Sequence, residues 1–204
     1  MKRFLFSLSI FVLSAALFAE GFSFGVEGGG GINTVKSGFP NGNESDFDYI
    51  LTCRFGAGVE YGFNRVTTLQ LKTFWHHSNG FSFIDANGKT KVSFMTIDVP
   101  VLLKLTFAGI ESIPGRFSIY AGPHFSFRIG NTQESHAGIN DGRKTFSSKD
   151  IFAAGLECGA EYAFTKEDGF RLGCSVIFDI SDFSGDEDFS TRRICILPNL
   201  SYWF

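Results

Sequence analysis

The printed chain closes with "CILPNLSYWF" (residues 195–204), and this stretch decides how the rest of the sequence is interpreted. Leu200, Tyr202 and Phe204 fall on one parity, whereas Asn199 and Ser201 fall on the other. Alternation with a period of two is typical of a β-strand that has one apolar face. The ends of soluble domains are commonly polar and frayed. An apolar strand that continues to residue 204 therefore predicts an end that is paired within a sheet.

The same period of two continues along most of the chain and predicts an all-β protein. The predicted strands are roughly 21–35, 48–61, 66–76, 92–107, 116–129, 150–164, 170–180 and 191–204. The predicted connections alternate between long polar loops, at 36–47, 77–91, 130–149 and 181–190, and short turns, at 62–65, 108–115 and 165–169. Outer-membrane barrels show this asymmetry, with all long loops at one end. The predicted fold is therefore an eight-stranded antiparallel up-and-down transmembrane β-barrel.

The two faces of the predicted strands differ in composition. One parity is apolar and carries no charge, whereas the other is rich in glycine and carries acids and bases in equal number. The charged members are Glu27, Arg54, Glu60, Lys72, Asp98, Lys104, Arg128, Glu157, Glu161, Arg171, Asp179 and Arg193. Because a buried charge is costly without a partner, these residues are predicted to form a paired network.

Alternation alone does not say which face points inward, since a soluble lipocalin-type barrel also has one apolar face and turns it inward. Volume favours the opposite arrangement, because the lumen of an eight-stranded barrel is just wide enough for side chains and the apolar parity holds too many aromatic residues. Aromatic residues also collect near both ends of the strands, with smaller aliphatic residues between them, as in membrane barrels. The apolar face is therefore predicted to contact lipid.

Residues 1–19 are predicted to be a secretory signal peptide. Two basic residues precede a mostly apolar stretch (4–18), and small residues follow, which is the order of such a leader. The apolar stretch is shorter than the roughly 20 residues that a spanning helix needs. Cleavage is predicted after Ala19, with Ala16 as the alternative. Residues 20–204 then form the barrel, and the net charge changes from −3 to −3 − 2 = −5.

Composition also argues against several other function classes. The sequence has no basic stripe and no recognition helix, so no nucleic-acid partner is predicted. Cys53, Cys158, Cys174 and Cys195 all fall inside predicted strands, and their spacings match no metal motif. They are predicted to be free thiols that act as small apolar side chains. No cofactor is predicted.

Three internal stretches resemble the outer-membrane β-barrel domain family of PorT-like and OmpA-like small barrels. They are "MTIDVPVLLKLTF" (95–107), "YAGPHFSF" (120–127) and "GLECGAEYAF" (155–164). The final "LSYWF" resembles the closing-strand signal read by the outer-membrane assembly machinery, with Leu200, Tyr202 and Phe204 at alternate positions. The resemblance covers nearly the whole mature chain. It implies an eight-stranded barrel in the outer membrane of a diderm bacterium, and it implies no single biochemical activity.

Two stretches contain residues that other proteins use for binding. "GVEGGGGIN" (25–33) has glycine spacing reminiscent of a phosphate loop, but that mechanism requires a following helix, and none is predicted. A close-packed or strongly curved strand is predicted instead. His76 and His77 are adjacent, and adjacent strand residues point to opposite faces. They are therefore not predicted to share a metal ion.

A catalytic site is a further possibility that the residues leave open. His76, His124 and Asp98 all lie on the inward parity, and Ser126 or Ser118 is available as a nucleophile. Histidine beside a carboxylate and a hydroxyl is the arrangement that a hydrolase needs. Hydrogen-bonded polar side chains in a lumen are far commoner, so no catalytic residue is predicted.

The lumen charges leave two functional interpretations open. They either plug the barrel or line a narrow channel for small solutes, and the plug is favoured because eight strands enclose little open space. The predicted function is a non-enzymatic outer-membrane protein that serves as an envelope scaffold or binds through its surface loops. A membrane-embedded hydrolase or acyltransferase is the other alternative. The predicted partners are outer-membrane lipid, the outer-membrane assembly machinery and an extracellular ligand of the long loops.

Overall fold

The computed structural model describes residues 21–38, 49–85, 88–107, 115–129, 133–137, 152–165, 169–181 and 190–204. The predicted signal peptide (1–19) and its cleavage site lie outside the described residues. So do most of the predicted loops 36–47, 130–149 and 181–190. Within the described residues, no helix is long and apolar enough to cross a membrane.

The described residues form nine antiparallel strands. They are β1 (Phe22–Gly38), β2 (Tyr49–Gly62), β3 (Thr67–Asp85), β4 (Gly88–Phe107), β5 (Arg116–Arg128), β6 (Gln133–Ala137), β7 (Phe152–Ala163), β8 (Phe170–Asp179) and β9 (Ser190–Trp203). Eight of them pair in the ring order β3-β2-β1-β9-β8-β7-β5-β4, and a pairing between β3 and β4 closes it. This closed, antiparallel eight-stranded barrel confirms the predicted fold class.

The barrel closes where the last strand meets the first. Gly25 lies opposite Trp203, and Val26 lies opposite Tyr202. At the end of the pair, the amide of Phe204 donates to the carbonyl oxygen of Phe24 at 2.7 Å, and the amide of Phe24 donates back at 3.4 Å. Pairing along both edges leaves these two strands without an open edge at this seam.

The prediction of a long loop at 77–91 is wrong. β3 continues to Asp85 and β4 begins at Gly88, so this segment is mostly a strand-paired hairpin. The strand register shifts between Ser78 and Phe81. Such a bulge inserts residues that break the alternation along a strand, which explains why a simple period of two ended the predicted strand at 76.

A ninth strand was also missed. β6 lies inside the predicted loop 130–149. Among the described strands it pairs with the N-terminal part of β4, where Lys89 lies opposite Ala137 and Ser93 lies opposite Gln133. β3 and β4 have 19 and 20 residues, whereas about 9–11 tilted residues cross a bilayer. The hairpin end and β6 therefore extend beyond the barrel at its long-loop end.

The strand faces follow the predicted parities. Leu51, Phe55 and Leu172 point outward, and Phe55 is 64% exposed. The charged parity points inward and is buried, except that Arg128 is half-buried. The lumen also holds bulky apolar and aromatic side chains that the sequence argument did not place there, namely Phe74, Leu102, Tyr120, Ile177, Leu197 and Trp203.

Aromatic side chains contact one another around the short-turn rim of the outer surface. Phe170 and Phe204 both pack against Tyr202, with ring centroids 4.8 and 4.9 Å apart. Phe22 packs against Tyr61 at 4.8 Å in the same way. Contacts of this kind suit the aromatic girdle of a membrane barrel, whose rings lie at the level of the lipid headgroups.

Glycines on the inward face let strands and lumen side chains come close together. A Cβ on Gly122 would lie 2.0 Å from the carbonyl oxygen of Val101, and one on Gly25 would lie 2.3 Å from the Trp203 indole. The predicted close-packed strand at 25–33 is indeed part of β1. All four cysteines are free thiols, and Cys195 alone of them is buried.

Candidate functional site

The centre of the lumen is filled by a central cluster made of Glu27, Arg54, Lys72 and Glu157. The Arg54 guanidinium donates to Glu157 Oε1 at 2.9 Å and to Glu27 Oε1 at 2.8 Å, and Lys72 Nζ donates to Glu27 Oε2 at 2.9 Å. β1, β2, β3 and β7 supply these four residues, so the cluster crosses the barrel from wall to wall. Its two cations and two carboxylates balance in charge.

Neutral side chains complete the central cluster. The Arg54 guanidinium carbon lies 4.2 Å from the centre of the Phe74 ring, and Lys72 Nζ lies 5.1 Å from that of Tyr120. Ser175 accepts a hydrogen bond from Arg54 at 2.7 Å. Cations over aromatic faces gain the most when they are shielded from water, and these side chains are all buried.

Towards the long loops lies a histidine cluster made of His76, Asp98, His124, Ser126 and Arg193. His76 Nδ1 lies 2.6 Å from Asp98 Oδ2, and the Ser126 hydroxyl donates to Asp98 Oδ1 at 2.7 Å. Arg193 donates to Ser126 Oγ at 3.0 Å and to Asp179. The histidine cluster joins the central cluster through His124 Nδ1, which lies 2.9 Å from Glu157 Oε2.

The histidine cluster contains the order of groups that a hydrolase uses, but its hydrogen bonds oppose that role. His124 Nε2 lies 3.0 Å from Ser126 Oγ, and His124 Nδ1 lies next to Glu157. However, Ser126 already donates its hydroxyl proton to Asp98. His124 Nε2 also lies 3.4 Å from Asp98 Oδ2, so both ring nitrogens face carboxylates that only accept. A doubly protonated imidazole suits these partners, and such a ring cannot act as a general base.

Solvent access also opposes catalysis at this place. His124, Ser126 and Asp98 have no exposed surface, and His76 is 1% exposed. Ser118, the other predicted nucleophile, lies elsewhere and contacts Thr106 Oγ1 at 3.0 Å. The structure thus brings His76, His124, Asp98 and Ser126 together as a closed hydrogen-bonded group.

At the short-turn end lies a mouth cluster made of Glu60, Lys104, Glu161 and Arg171. Lys104 donates to Glu60 at 2.6 Å and to Glu161 at 3.1 Å, and Arg171 donates to the same two oxygens at 2.7 and 3.2 Å. Gln70 donates a further hydrogen bond to Glu60. The Arg171 guanidinium carbon also lies 4.7 Å from the centre of a Trp203 ring.

The mouth cluster forms the floor of an open cavity of about 370 Å³. Gly62, Asn64, Arg65, Arg116 and Thr165 line its rim. The lumen is therefore filled at its centre and widens towards the short turns. Among the described residues, no group of three or more His, Cys, Asp or Glu side chains could hold a metal ion. His76 is buried in the lumen, whereas the adjacent His77 is half-buried and stacks on outward-facing Trp75.

Sequence reasoning could place the charged residues in one lumen but could not pair them. Arg54 and Glu157 are 103 positions apart, and only the ring order of the strands brings them together. Sequence reasoning also missed Phe74 and Trp203 as partners of the cations. Their inward parity was the available signal, since an aromatic residue on the charged face of a strand can pack its ring against a cation.

Comparison with known proteins identifies the family. A model described as "Outer membrane protein beta-barrel domain" matches residues 14–184. The chain belongs to this family. The match confirms the family resemblance and the outer-membrane location that were predicted from the sequence. Among curated protein sequences, none matches it significantly.

Comparison with solved structures finds similarity to several outer-membrane proteins at low sequence identity. Ail of Yersinia pestis is 12% identical with a TM-score of 0.49, and the comparison covers 91% of this chain and 100% of Ail. Neisserial surface protein A is 14% identical with a TM-score of 0.48, covering 90% and 97%. OprG from Pseudomonas aeruginosa is 13% identical with a TM-score of 0.47, covering 90% and 96%.

Proposed function

We propose that this outer-membrane barrel is a non-enzymatic envelope protein whose lumen is plugged and whose long-loop end makes its contacts. The observation that carries the proposal is the central cluster, in which Arg54 bridges Glu27 and Glu157 across the barrel. Arg54 is 2% exposed and Glu157 is not exposed at all. A solute that crossed the barrel would have to break these ion pairs in a space that excludes water, which is costly.

The long-loop end is the better place for contacts with other molecules. The hairpin of β3 and β4, with β6 along one side, extends the sheet beyond the barrel. A paired sheet holds neighbouring residues in a fixed order, and functional residues are commonly displayed near loops on such rigid scaffolds. We propose an extracellular ligand or envelope partner for this end, and lipid as the partner of the outward apolar face.

Planar-bilayer recording tests the plugged lumen. The wild-type protein is expected to give no stable open current, because the central cluster blocks the lumen. A double variant, Arg54→Ser with Glu157→Ser, removes the central bridge without changing net charge and is expected to pass small ions. An open and stable current through the wild-type protein would instead favour the narrow channel for small solutes.

Esterase and acyltransferase assays test the absence of catalysis. No turnover above background is expected from the wild-type protein, because the histidine cluster is buried and the Ser126 hydroxyl donates its hydrogen bond to Asp98. The matched variant is Ser126→Ala, and Ser118→Ala is its control at the other end of the barrel. Activity in the wild type and in Ser118→Ala, but not in Ser126→Ala, would overturn the non-enzymatic proposal.

Orientation in the membrane is tested by protease treatment of intact cells. Cleavage is expected within 36–47, 130–149 and 181–190, because long loops of outer-membrane barrels lie outside the cell. The short turns at 62–65 and 108–115 are expected to resist until the membrane is permeabilised. Cleavage of the short turns in intact cells would reverse the proposed orientation.

Assembly is proposed to depend on the outward residues Leu200, Tyr202 and Phe204, all of which are exposed on or next to β9. Their replacement by alanine is expected to lower the amount of folded barrel in cells, whereas refolding of the purified variant into detergent should be much less affected. A matched change of Ile194 and Ile196, outward residues of the same strand, is the control. Equal loss of cellular folding in both variants would contradict a specific role for the last residues.

A further inference from the structure

The described residues that line the cavity at the short-turn mouth carry an excess of positive charge. Four lining residues are cations and two are carboxylates, so the formal excess is 4 − 2 = +2. The cations are Arg65, Lys104, Arg116 and Arg171, and the carboxylates are Glu60 and Glu161. The other lining residues in the described part of the chain are uncharged. A polar cavity with this excess attracts anions, since a concave site with low-dielectric walls concentrates the field of its charges.

The excess resides on two arginines at the rim. Lys104 and Arg171 share both carboxylates of the mouth cluster and are neutralised there. Arg65 and Arg116 are exposed, and within the described part of the chain neither makes an ion pair. Their charge is therefore available to a ligand. A guanidinium group binds phosphate or carboxylate oxygens through two parallel hydrogen bonds.

The fold directs both arginines to the cavity and holds one of them in a fixed turn. Arg116 has the same parity on β5 as the buried Ser118 and Tyr120, which is the inward parity. Arg65 lies in the turn between β2 and β3, where the Asn64 side chain accepts hydrogen bonds from the amides of Val66 and Thr67, both at 2.8 Å. Such an Asx-type turn limits the conformations of the residues within it.

We propose that this mouth is a binding site for a soluble, multiply charged anion that carries phosphate or carboxylate groups. The short turns of outer-membrane barrels face the periplasm, so the anion would enter from that side. Arg116 has the inward parity at the first position of β5, so its side chain leaves the strand on the side away from the acyl chains. This position favours a soluble anion over the headgroup of a neighbouring lipid. The proposal does not depend on the loops or on the plug.

Titration calorimetry tests the proposal with pyrophosphate and citrate as probes and the purified barrel in non-ionic detergent. The wild-type protein is expected to bind at least one probe saturably with one site, and binding should weaken as salt is raised from about 50 to about 500 mM. The double variant Arg65→Gln with Arg116→Gln is expected to bind about tenfold more weakly or not at all, because each arginine supplies a charge-assisted contact.

The matched control is Arg128→Gln, which removes one positive charge from β5 at the opposite end of the barrel. Single variants Arg65→Gln and Arg116→Gln carry the same change in net charge as this control and should each bind more weakly than it does. Failure of the wild type to bind either probe at low salt would overturn the proposal. So would an equal loss in Arg128→Gln, since the effect would then reflect net charge alone.

A second arm separates a soluble anion from a lipid headgroup. The wild-type barrel is placed in nanodiscs of phosphatidylcholine or of phosphatidylglycerol, and the probe titration is repeated. Similar affinities in both are expected for a site inside the mouth. Loss of probe binding in phosphatidylglycerol alone would mean that a headgroup occupies the arginines, and the soluble-anion proposal would fail. Each variant is first checked for folding by comparing its gel mobility before boiling with its mobility after boiling.

Discussion

The central cluster and the mouth cluster are built from the same chemistry but differ in their access to water. In each, two cations pair with two carboxylates at distances of 2.6–3.2 Å. Arg54 and Glu157 have side chains with no exposed surface, whereas the Arg171 side chain is 10% exposed and lies against an open cavity. The central cluster has three ion pairs and the mouth cluster has four, so access to water, and not a larger number of pairs, marks the plug.

Because the two clusters differ in their access to water, they should respond differently to the loss of an ion-pair partner. A fully buried charge that loses its counter-ion cannot turn to water and remains uncompensated. A charge beside an open cavity can be rehydrated, and mobile salt ions can screen it. The central cluster should thus be the less tolerant of the two.

The largest effect is expected from Arg54→Met. This change removes the bridge between Glu27 and Glu157 and leaves two buried carboxylates close to one another, so the free energy of unfolding should fall by about 3–5 kcal/mol. Guanidinium unfolding in detergent, followed by tryptophan fluorescence, measures it. Arg128→Met is the control, because it removes the same charge and makes the same change of side chain, and it should lower the free energy of unfolding clearly less. A loss below about 1 kcal/mol would mean that the central cluster is no tighter than a surface ion pair.

An intermediate and more direct comparison uses two glutamates on one strand. Glu157→Gln and Glu161→Gln make the same isosteric change four positions apart on β7, the first in the central cluster and the second in the mouth cluster. We expect a cost of about 2–4 kcal/mol for the first and about 1 kcal/mol for the second, because the charged partners left behind differ in hydration. The same unfolding experiment gives both values. Equal costs would contradict the distinction between the clusters.

The smallest effect is expected from Lys104→Met and depends on salt. Lys104 is 4% exposed and lies at the cavity. Its replacement should cost about 1 kcal/mol at low ionic strength and less at about 1 M salt, where the Debye length falls to about 3 Å. Lys72→Met in the central cluster is the control and should show little dependence on salt. A salt-independent cost at Lys104 would show that the mouth is as dry as the centre.

Much of the barrel could be predicted because its physics is local. Inward and outward residues alternate along every strand, so parity divides the residues into two faces, and the bulk of the aromatic residues shows that the uncharged face is the outer one. Strand ends are less local. The bulge between Ser78 and Phe81 breaks the alternation, and β6 is stabilised by pairing with the N-terminal part of β4, which no short-range pattern reveals.

The candidate site was predictable in content but not in geometry. Parity and the volume argument together placed Arg54, Glu157 and Glu161 on the inward face. They could not show that Glu157 belongs to the centre and Glu161 to the mouth, because that depends on where β2, β4 and β8 cross the barrel. The role of Trp203, whose indole fills the space above Gly25, likewise depends on the pairing of the first and last strands.

The reciprocal hydrogen bonds between Phe24 and Phe204 have a topological consequence. Because every neighbouring pair in the ring is joined by the same kind of ladder, no strand has a privileged rank in the finished molecule. A circular permutant that links residue 204 to residue 21 and begins within a long loop would keep all eight barrel pairings. The pairing of strands in the finished barrel therefore does not depend on which strand comes first in the sequence.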